Sequence, residues 1–408
     1  MNDILIVGGG IGGLTLALEL ARRGFAHRVF EAAPAIKPVG VGVNLLPHAT
    51  KMLAELGLEP ALARAAVETA ESHFYNRFGQ LIYKEPLGRR AGLGWPQFSI
   101  HRADLQAALV ERADVAAGTQ PIALGRKCVA FDQDAEGVTL RFEDGSSTRG
   151  AAAIGCDGIH SAIRRQLFPQ DGPPRYSGVN MWRGVTRWQP YLGGATMVRA
   201  GWLATGKMVI YPIRTHADGT QLVNWVFEIE TPQHRQWDWN RPARVEDFFE
   251  RVADWHFEWL DIPAMLRAAE LVLEYPMVDK DPLPRWTHGR VTLLGDAAHP
   301  MYPRGSNGAG QAILDARALA EELSRAAPPQ ALAAYEARRL APTSSVVLEN
   351  RRNPPDAILR EIYERTGDKP FERVDEVISQ AELREISDRY KRVAGYDRDT
   401  LQPKEMTG

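Results

Sequence analysis

Two glycine-rich segments at opposite ends of this 408-residue chain carry residue types suited to binding phosphate and sugar groups. The first, residues 8–13, reads Gly-Gly-Gly-Ile-Gly-Gly, and the second runs from Gly295 and Asp296 to Gly308. Glycine lets a backbone approach a phosphate closely, and a carboxylate accepts hydrogen bonds from sugar hydroxyls. Together the two segments predict a dinucleotide site.

The N-terminal glycines fit the pattern Gly-x-Gly-x-x-Gly, between a predicted strand at residues 4–7 and a predicted helix. The first glycine permits a tight turn, the second leaves room for a pyrophosphate, and the third lets helix and strand pack closely. The helix N-terminus then favours negative charge. Glu31 ends the second predicted strand, where a carboxylate binds the adenosine ribose. This pattern, which does not distinguish FAD from NAD, predicts as cofactor-binding residues Gly8, Gly10, Ile11, Gly12, Gly13, Glu31 and Ala32.

The C-terminal segment places Gly295 and Asp296 after a short apolar strand, and Gly308 and Ala309 where an apolar-periodic helix begins. Asp296 is suited either to hydrogen bonding with a sugar-alcohol chain or to capping a helix. The first N–H groups of a helix stabilise negative charge, and a reduced flavin carries negative charge on its N1–C2=O edge. The segment therefore favours a flavin dinucleotide.

A third segment, Asp157 followed by Gly158, comes after a predicted strand at residues 151–155. Asp-Gly after a strand is a common turn and by itself indicates no ligand. Ser161 and Arg164 stand three residues apart, which predicts a helix start with a hydroxyl cap and a cation one turn later.

The elements around these segments predict an α/β fold. A strand, a helix and a second strand open the chain, so a parallel sheet is expected. Eight of the ten tryptophans lie between Trp182 and Trp259, among short runs that predict an antiparallel sheet with one covered face. The predicted units are a Rossmann-like nucleotide domain at residues 1–70, 101–175 and 285–342, a substrate-binding sheet domain at residues 71–100 and 176–284, and a helical tail at residues 343–408. The tail is expected to pack on the outside.

Composition argues against several function classes. The formal charge is −2, which gives no reason to expect nucleic acid or an anionic membrane as a partner. Cys128 and Cys156 are too few for a disulfide framework or a metal cluster and fit a reducing, cytoplasmic environment. No apolar run is long enough to span a bilayer, and the N-terminus lacks the features of a signal peptide. His299 has no second ligand at metal-binding spacing, so no metal site is predicted.

The three segments, in this order, resemble the single-component (class A) flavoprotein aromatic hydroxylases, which have the p-hydroxybenzoate hydroxylase fold. The likeness extends over about residues 1–340. Residues 180–186, 305–308 and 353–359 are more narrowly similar to monooxygenases that act on methylphenazine carboxylates. The resemblance implies an FAD-binding domain interrupted by the sheet domain, with NAD(P)H as a transient reductant and O2 as co-substrate.

The resemblance also implies roles for individual residues. Arg102 and Gln106 would contact the FAD phosphate and ribityl chain, although a surface helix with ordinary charges is the plain alternative. Val129 would meet the adenine through its backbone, and Asp157 would serve both FAD and the NAD(P)H step. Beyond the N-terminal segment, the residues expected to contact FAD are Gly42, Val43, Arg102, Gln106, Val129, Asp157, Gly295, Asp296, Gly308 and Ala309.

Two residues depart from the family pattern near the flavin. Many relatives have asparagine where this chain has Gly310, and a small or apolar residue where it has Arg304. Arg304 is expected either to face solvent or to pair with a substrate carboxylate or the nicotinamide nucleotide. The loop that contains both residues is therefore where the enzyme's selectivity is expected.

The implied reaction is hydroxylation of a small aromatic or heteroaromatic acid through a flavin C4a-hydroperoxide, with or without decarboxylation. No side chain is assigned as a catalytic acid or base, since the cofactor carries the chemistry. Substrate contacts are expected from Tyr211, Asn224, Trp225 and Tyr302, each with core packing as its plain alternative. Epoxidation or halogenation on the same scaffold and a catalytically silent FAD-binding sensor stay open, as do a monomer and a homodimer.

Overall fold

The computed structural model describes residues 3–36, 41–117, 122–232 and 241–402. The helices in these ranges are α1 (Ile11–Arg22), α2 (Pro47–Glu55), α3 (Glu59–Ala65), α4 (Arg102–Ala117), α5 (Ala162–Leu167), α6 (Ile262–Arg267), α7 (Gly308–Leu323), α8 (Pro328–Arg352), α9 (Ala357–Thr366), α10 (Gln380–Ala394) and α11 (Arg398–Leu401).

The strands in the first half are β1 (Ile4–Val7), β2 (His27–Phe30), β3 (Gly42–Leu45), β4 (Val67–Glu68), β5 (Glu71–Tyr75), β6 (Leu81–Pro86), β7 (Phe98–His101), β8 (Cys128–Gln133), β9 (Val138–Phe142), β10 (Ser147–Gly150), β11 (Ala152–Gly155) and β12 (Arg175–Trp188). Those that follow are β13 (Thr196–Trp202), β14 (Gly206–Thr215), β15 (Gln221–Glu230), β16 (Arg241–Ala243), β17 (His256–Phe257), β18 (Leu260–Asp261), β19 (Leu271–Asp279) and β20 (Val291–Leu293).

The predicted parallel sheet is present, with the strand order β2-β1-β11-β20 and every pair parallel. β1, β11 and β20 are buried along their whole length, as strands covered on both faces must be. Parallel strands end at the same edge of a sheet, so the three sequence segments, which each follow one of these strands, meet at one edge. In open α/β sheets this is the edge where ligands bind.

The second large sheet has the order β16-β19-β12-β15-β14-β13-β5-β6 and is antiparallel apart from the β13–β5 pair. One face packs on an apolar cluster that includes Trp225, Phe248 and Trp255. The opposite face carries Tyr211 and Asn224, which are partners in the β14–β15 register. The predicted mixed α/β fold is thereby confirmed.

The C-terminal tail is helical, as predicted, but the expectation that it packs on the outside is wrong. Tyr390 of α10 is 1% exposed, and its hydroxyl donates to Asn350 Oδ1 at 2.6 Å and accepts from Asn307 Nδ2 at 3.1 Å. Gln311 Nε2 donates to the carbonyl oxygen of Ala394 at 3.2 Å. The tail therefore holds the loop and helix start that follow the Gly295–Asp296 segment.

The predicted domain boundaries remain a proposal. The boundary at residue 342 falls inside the continuous helix α8, and the one at residue 100 falls inside β7, which pairs with β3 and β4 in a small separate sheet. Among the helices of the described ranges, none combines the length and apolar character that crossing a bilayer requires.

Candidate functional site

The turn after β1 is shaped to admit a ligand at one glycine and to pack tightly at two others. Gly8 has a φ of +111°, and a Cβ there would overlap the carbonyl group of Cys156. A Cβ on Gly13 would overlap the carbonyl oxygen of Gly8, whereas a Cβ on Gly10 would meet no atom within 4 Å. The open space at Gly10 lies where α1 begins without a side-chain cap, so the free N–H groups of the helix face it.

Two polar side chains hold this turn in place. Glu31 Oε2 accepts from the backbone N–H of Gly9 at 2.7 Å, and Glu31 Oε1 accepts from that of Ala33 at 2.8 Å. Gln106 Nε2, on α4, donates to the carbonyl oxygen of Gly9 at 2.8 Å. The structure therefore brings Glu31 and Gln106 to the glycine turn, as their predicted cofactor contacts require.

Asp157 caps the turn after β11. Its carboxylate accepts from the Ser161 hydroxyl at 2.5 Å and from the Ala162 backbone N–H at 2.7 Å. Ser161 in turn caps α5 by accepting from the Arg164 N–H at 2.9 Å, so the predicted hydroxyl cap is confirmed. Arg164 is 1% exposed and donates through Nη1 to the carbonyl oxygens of Ala297 and Ala298 at 3.1 and 3.0 Å. It thus ties the segment after β11 to the loop after β20.

Asp296 lies opposite the start of α7. A Cβ built on Gly308 would come within 3.8 Å of Asp296 Oδ1. Helix α7 begins without a side-chain cap and without an acidic residue in its first turn, so its N–H groups and partial positive charge face this space. The Asp296 side chain is accessible to solvent although protein atoms crowd around it, the combination expected at the bottom of a cleft.

Burial raises the pKa of the Asp296 carboxyl, while the charges of His299 and Arg102 oppose part of the rise. A carboxyl whose pKa is higher in the folded chain than in the unfolded one lowers folding stability above the folded pKa, and this loss disappears as the pH falls below the unfolded pKa. We therefore expect Asp296→Asn to raise the melting temperature of the apoprotein at pH 8 and to weaken FAD binding about tenfold.

The measurements for Asp296→Asn are thermal unfolding of the apoprotein at pH 8 and pH 4, and FAD titration by flavin fluorescence. The stability gain should shrink at pH 4, where the wild-type carboxyl becomes protonated. A melting temperature that fell equally at both pH values would show that the carboxylate supports the fold instead of facing a ligand.

The start of β3 contacts the second large sheet directly. The N–H of Gly42 donates to Asn224 Oδ1 at 2.7 Å, and the Tyr211 hydroxyl donates to the Gly42 carbonyl oxygen at 3.0 Å. A Cβ on Gly42 would come within 2.8 Å of both side chains. Tyr211 and Asn224 therefore lie beside Gly42, one of the residues expected to contact FAD.

The prediction of Trp225 as a substrate contact is wrong. Its side chain is fully buried on the other face of the sheet, where Nε1 donates to Thr186 Oγ1 at 3.0 Å and the indole packs near Phe248. Successive side chains of a strand point to opposite faces, so Asn224 and Trp225 cannot both face the same ligand.

The remaining predicted cofactor residues are exposed or partly exposed to solvent. Arg102 begins α4, is exposed, and is close enough to Asp296 to influence its pKa. Val129 is 46% exposed and falls at an irregularity in the β8–β9 register, which leaves it without a ladder partner. Ala32 is exposed, and the others, which are only partly exposed, are Ile11, Gly12, Val43 and Ala309. These assignments stay predictions.

Tyr302 and Arg304 open the loop before α7 but point into different surroundings. Tyr302 is 5% exposed, packs with Met181 and Val226, and burial raises its pKa to about 12. Arg304 is partly exposed, and its Nε is buried without a hydrogen-bond partner among the described residues. The side chain of Tyr302 therefore packs in an apolar cluster on the sheet, whereas the side chain of Arg304 is partly accessible to solvent.

His48 is a candidate site residue that the sequence did not indicate, and Arg183 on β12 is another. A Cβ on Gly310 would come within 2.8 Å of His48 Nε2, so the imidazole occupies the space that a side chain at position 310 would need. Burial lowers the pKa of His48 to about 3, which keeps the ring neutral. The only available signal was the absence of a side chain at Gly310, and it did not show which residue fills the gap.

His299 has a structural role, in agreement with its exclusion from the predicted site. Its Nε2 lies 2.5 Å from Asp315 Oδ2, and Arg339 Nε donates to Asp315 Oδ1 at 2.7 Å. The Asp315 pKa is raised by burial but lowered more by these two neighbours, so the net shift is downward. Within the described ranges no cluster of three or more His, Cys, Asp or Glu residues could hold a metal ion.

Comparison with known proteins shows which proteins this chain is similar to. A sequence profile of the FAD binding domain family matches residues 1–350. The chain is 40% identical over 363 residues to the phenazine 1,6-dicarboxylic acid hydroxylase PhzS of Lysobacter antibioticus, an alignment that covers 86% of this chain and 89% of that protein. It is 37% identical over 349 residues to the 3-amino-4-hydroxybenzoate 2-monooxygenase PtnB3 of Streptomyces platensis, covering 83% and 84% of the two chains.

Among solved structures, HpxO of Klebsiella pneumoniae complexed with FAD and uric acid has the same fold. The TM-score is 0.76 at 23% sequence identity, covering 94% of this chain and 96% of that one.

Proposed function

This chain belongs to the single-component FAD-dependent aromatic hydroxylases, and we propose that its substrate is an aromatic or heteroaromatic carboxylic acid. The reaction class comes with the family: an FAD-dependent monooxygenase hydroxylates an aromatic ring with NAD(P)H and O2. The names of the two relatives describe hydroxylases of phenazine-1,6-dicarboxylic acid and of 3-amino-4-hydroxybenzoate, both aromatic acids.

The residues present fit the cofactor. FAD, reduced by NAD(P)H, supplies the activation of O2 when it is bound. The open space at Gly10 would admit the pyrophosphate, and Asp296 would accept hydrogen bonds from the ribityl hydroxyls. The uncapped start of α7 would stabilise negative charge on the flavin, and the start of β3 at Gly42 would orient the ring against Tyr211 and Asn224.

Arg183 is the observation that favours an acidic substrate. It lies on β12, on the same sheet face as Tyr211 and Asn224, and is partly exposed. Its Nε is buried without a hydrogen-bond partner among the described residues, and its guanidinium carbon is 6.0 Å from the centroid of the Tyr275 ring. Burial raises the pKa of Tyr211, and the charge of Arg183 beside it opposes the rise. A guanidinium held in this position suits a carboxylate.

We expect Arg183→Met to raise the KM for an aromatic acid roughly 10- to 100-fold, because a hydrogen bond between charged groups is lost. The measurement is substrate-accelerated NAD(P)H oxidation with O2 consumption over a panel of benzoic, pyridine and phenazine carboxylic acids. Mass spectrometry with labelled O2 identifies the product and shows whether a carboxylate has been displaced.

The matched control for Arg183→Met is the carboxamide of the best substrate, on which wild type and variant should differ by less than threefold. An equal loss on acid and amide would contradict the proposed ion pair. If no aromatic acid accelerated NAD(P)H oxidation in the wild type, a catalytically silent FAD-binding sensor would be favoured. An epoxide product would instead indicate an epoxidase, and a halogenated product a halogenase.

A further inference from the structure

A cavity of about 410 Å³ lies where the loop before α7 meets the end of α8 and the start of α9. Its lining includes four arginines, Arg304, Arg351, Arg352 and Arg360, together with Glu230 and the partly exposed Trp202. The volume falls within the range of small-molecule sites, roughly 300–1,000 Å³. The lining itself therefore carries more positive than negative side chains.

Two of these arginines lack a partner in the part of the chain that the structure describes. Arg351 pairs with Asp279 and Asp281, and Arg360 lies 3.8 Å from Glu361. The side chains of Arg304 and Arg352 have no ion pair or hydrogen bond there, and the Nε of Arg304 is buried as well. A buried guanidinium nitrogen without a partner is costly, which indicates that an anion belongs beside it.

The start of α9 adds to the positive potential of the cavity. Ala357, the first residue of α9, is part of the lining, and Asp356 occupies the N-cap position without capping the helix. The Asp356 carboxylate instead pairs with the buried Lys207 and lies 3.4 Å from Arg199 Nε. The N–H groups of Ala357 and Leu359 already donate to the carbonyl oxygens of Pro354 and Asp356, at 2.9 Å each, so the helix start contributes only its partial positive charge on the side of the arginines.

We propose that this cavity binds the phosphate groups of the nicotinamide dinucleotide that reduces the flavin. The inference rests on the proposed function, since it needs an enzyme that consumes NAD(P)H. Arg304 connects the cavity to the flavin, because it lies four residues before Gly308 in the loop that the C-terminal tail holds. The exposed Glu230 carboxylate suits ribose hydroxyls, and Arg304 and Arg352 suit phosphate oxygens.

Charge and access favour the reductant over the aromatic acid as occupant. One carboxylate would use a single guanidinium, whereas a pyrophosphate carries two phosphates and engages two. Arg352 and Glu230 are exposed, so the cavity opens toward solvent, which suits a molecule that binds, delivers its electrons and leaves. Arg183 already provides a cation on the sheet face that contacts Gly42 at the start of β3.

The test uses the FAD-loaded enzyme and two probes that cannot donate electrons, ADP-ribose and ADP-ribose 2′-phosphate, in titration calorimetry. Arg352→Gln and Arg304→Gln should each weaken probe binding about tenfold, and the double variant about a hundredfold. Tighter binding of the 2′-phosphate by the wild type would identify NADPH, and equal binding NADH. The salt dependence of probe binding should fall with each arginine removed.

The matched control is Arg373→Gln, which removes the same charge at a side chain that is 73% exposed and outside the cavity. Probe binding there should stay within twofold of the wild type. Unchanged probe binding in the Arg304 and Arg352 variants would overturn the inference, as would weaker binding of the aromatic acid in its place. Failure of the proposed function would instead appear as no aromatic acid accelerating NAD(P)H oxidation in the wild type.

Discussion

Gly10→Val is expected to abolish retention of FAD while leaving the apoprotein folded. The backbone of Gly10 has φ −79° and ψ −175°, a conformation that valine adopts readily, and no atom lies within 4 Å of the added Cβ. The valine side chain would instead occupy the space for the pyrophosphate and block the N–H groups of α1. Losing several hydrogen bonds to a charged group weakens FAD binding by at least roughly 100-fold.

Gly13→Val is the matched comparison, because a Cβ there overlaps the carbonyl oxygen of Gly8 and strains the turn itself. Thermal unfolding of both apoproteins and FAD titration separate the two effects. The Gly10 variant should melt close to the wild type, and the Gly13 variant well below it. If the Gly10 variant bound FAD normally, the pyrophosphate would have to lie elsewhere.

Arg164→Met is expected to lower the free energy of unfolding by about 3–5 kcal/mol, since the variant loses a buried ion pair together with the hydrogen bonds to two buried carbonyl oxygens. Arg164 donates to both carboxylate oxygens of Asp171, at 2.7 and 2.9 Å, as well as to the carbonyl oxygens of Ala297 and Ala298. Lys280 remains beside Asp171, but nothing replaces the bonds to the 297–298 carbonyls. Asp296 should shift with that loop, so FAD binding should weaken too.

Arg165→Met provides the control one residue along the same helix. Arg165 is exposed and, within the described ranges, donates only to the His160 carbonyl oxygen, so its removal should cost within about 0.5 kcal/mol. Urea unfolding of both variants gives the comparison. Similar small losses of stability at the two positions would mean that the buried Arg164 does not stabilise the loop after β20.

The cofactor half of the site could be predicted because its signals are local. Each of the three segments follows its own strand, and the rule that ligands meet the carboxyl edge of a parallel sheet supplies the rest. Ser161 and Arg164 illustrate the same point, since a cap depends on three or four neighbouring residues.

The substrate half could not be predicted to the same depth, because its contacts join distant parts of the chain. Asn224 and Trp225 are adjacent, and nothing in the sequence showed which of them faces Gly42. The partner of Gly310 is His48, on a helix more than 250 residues earlier, and the unpaired Arg183 Nε becomes visible only once its sheet face is known. The inward position of Tyr390 depends on a contact with a loop some 80 residues away.

The contact between the C-terminal tail and the loop that precedes α7 can form only late in synthesis. The glycine turn leaves the ribosome early, but the helix residues that hold the loop, up to Ala394, follow about 380 residues later. At roughly 5–20 residues per second, that interval lasts on the order of 20 to 80 s. For most of this interval β20, the neighbour of β11, has not yet been made, so the enzyme must capture FAD after most of its chain has been made. A messenger RNA truncated in the region that encodes the last helices would yield a protein whose loop before α7 lacks the contacts that the tail provides.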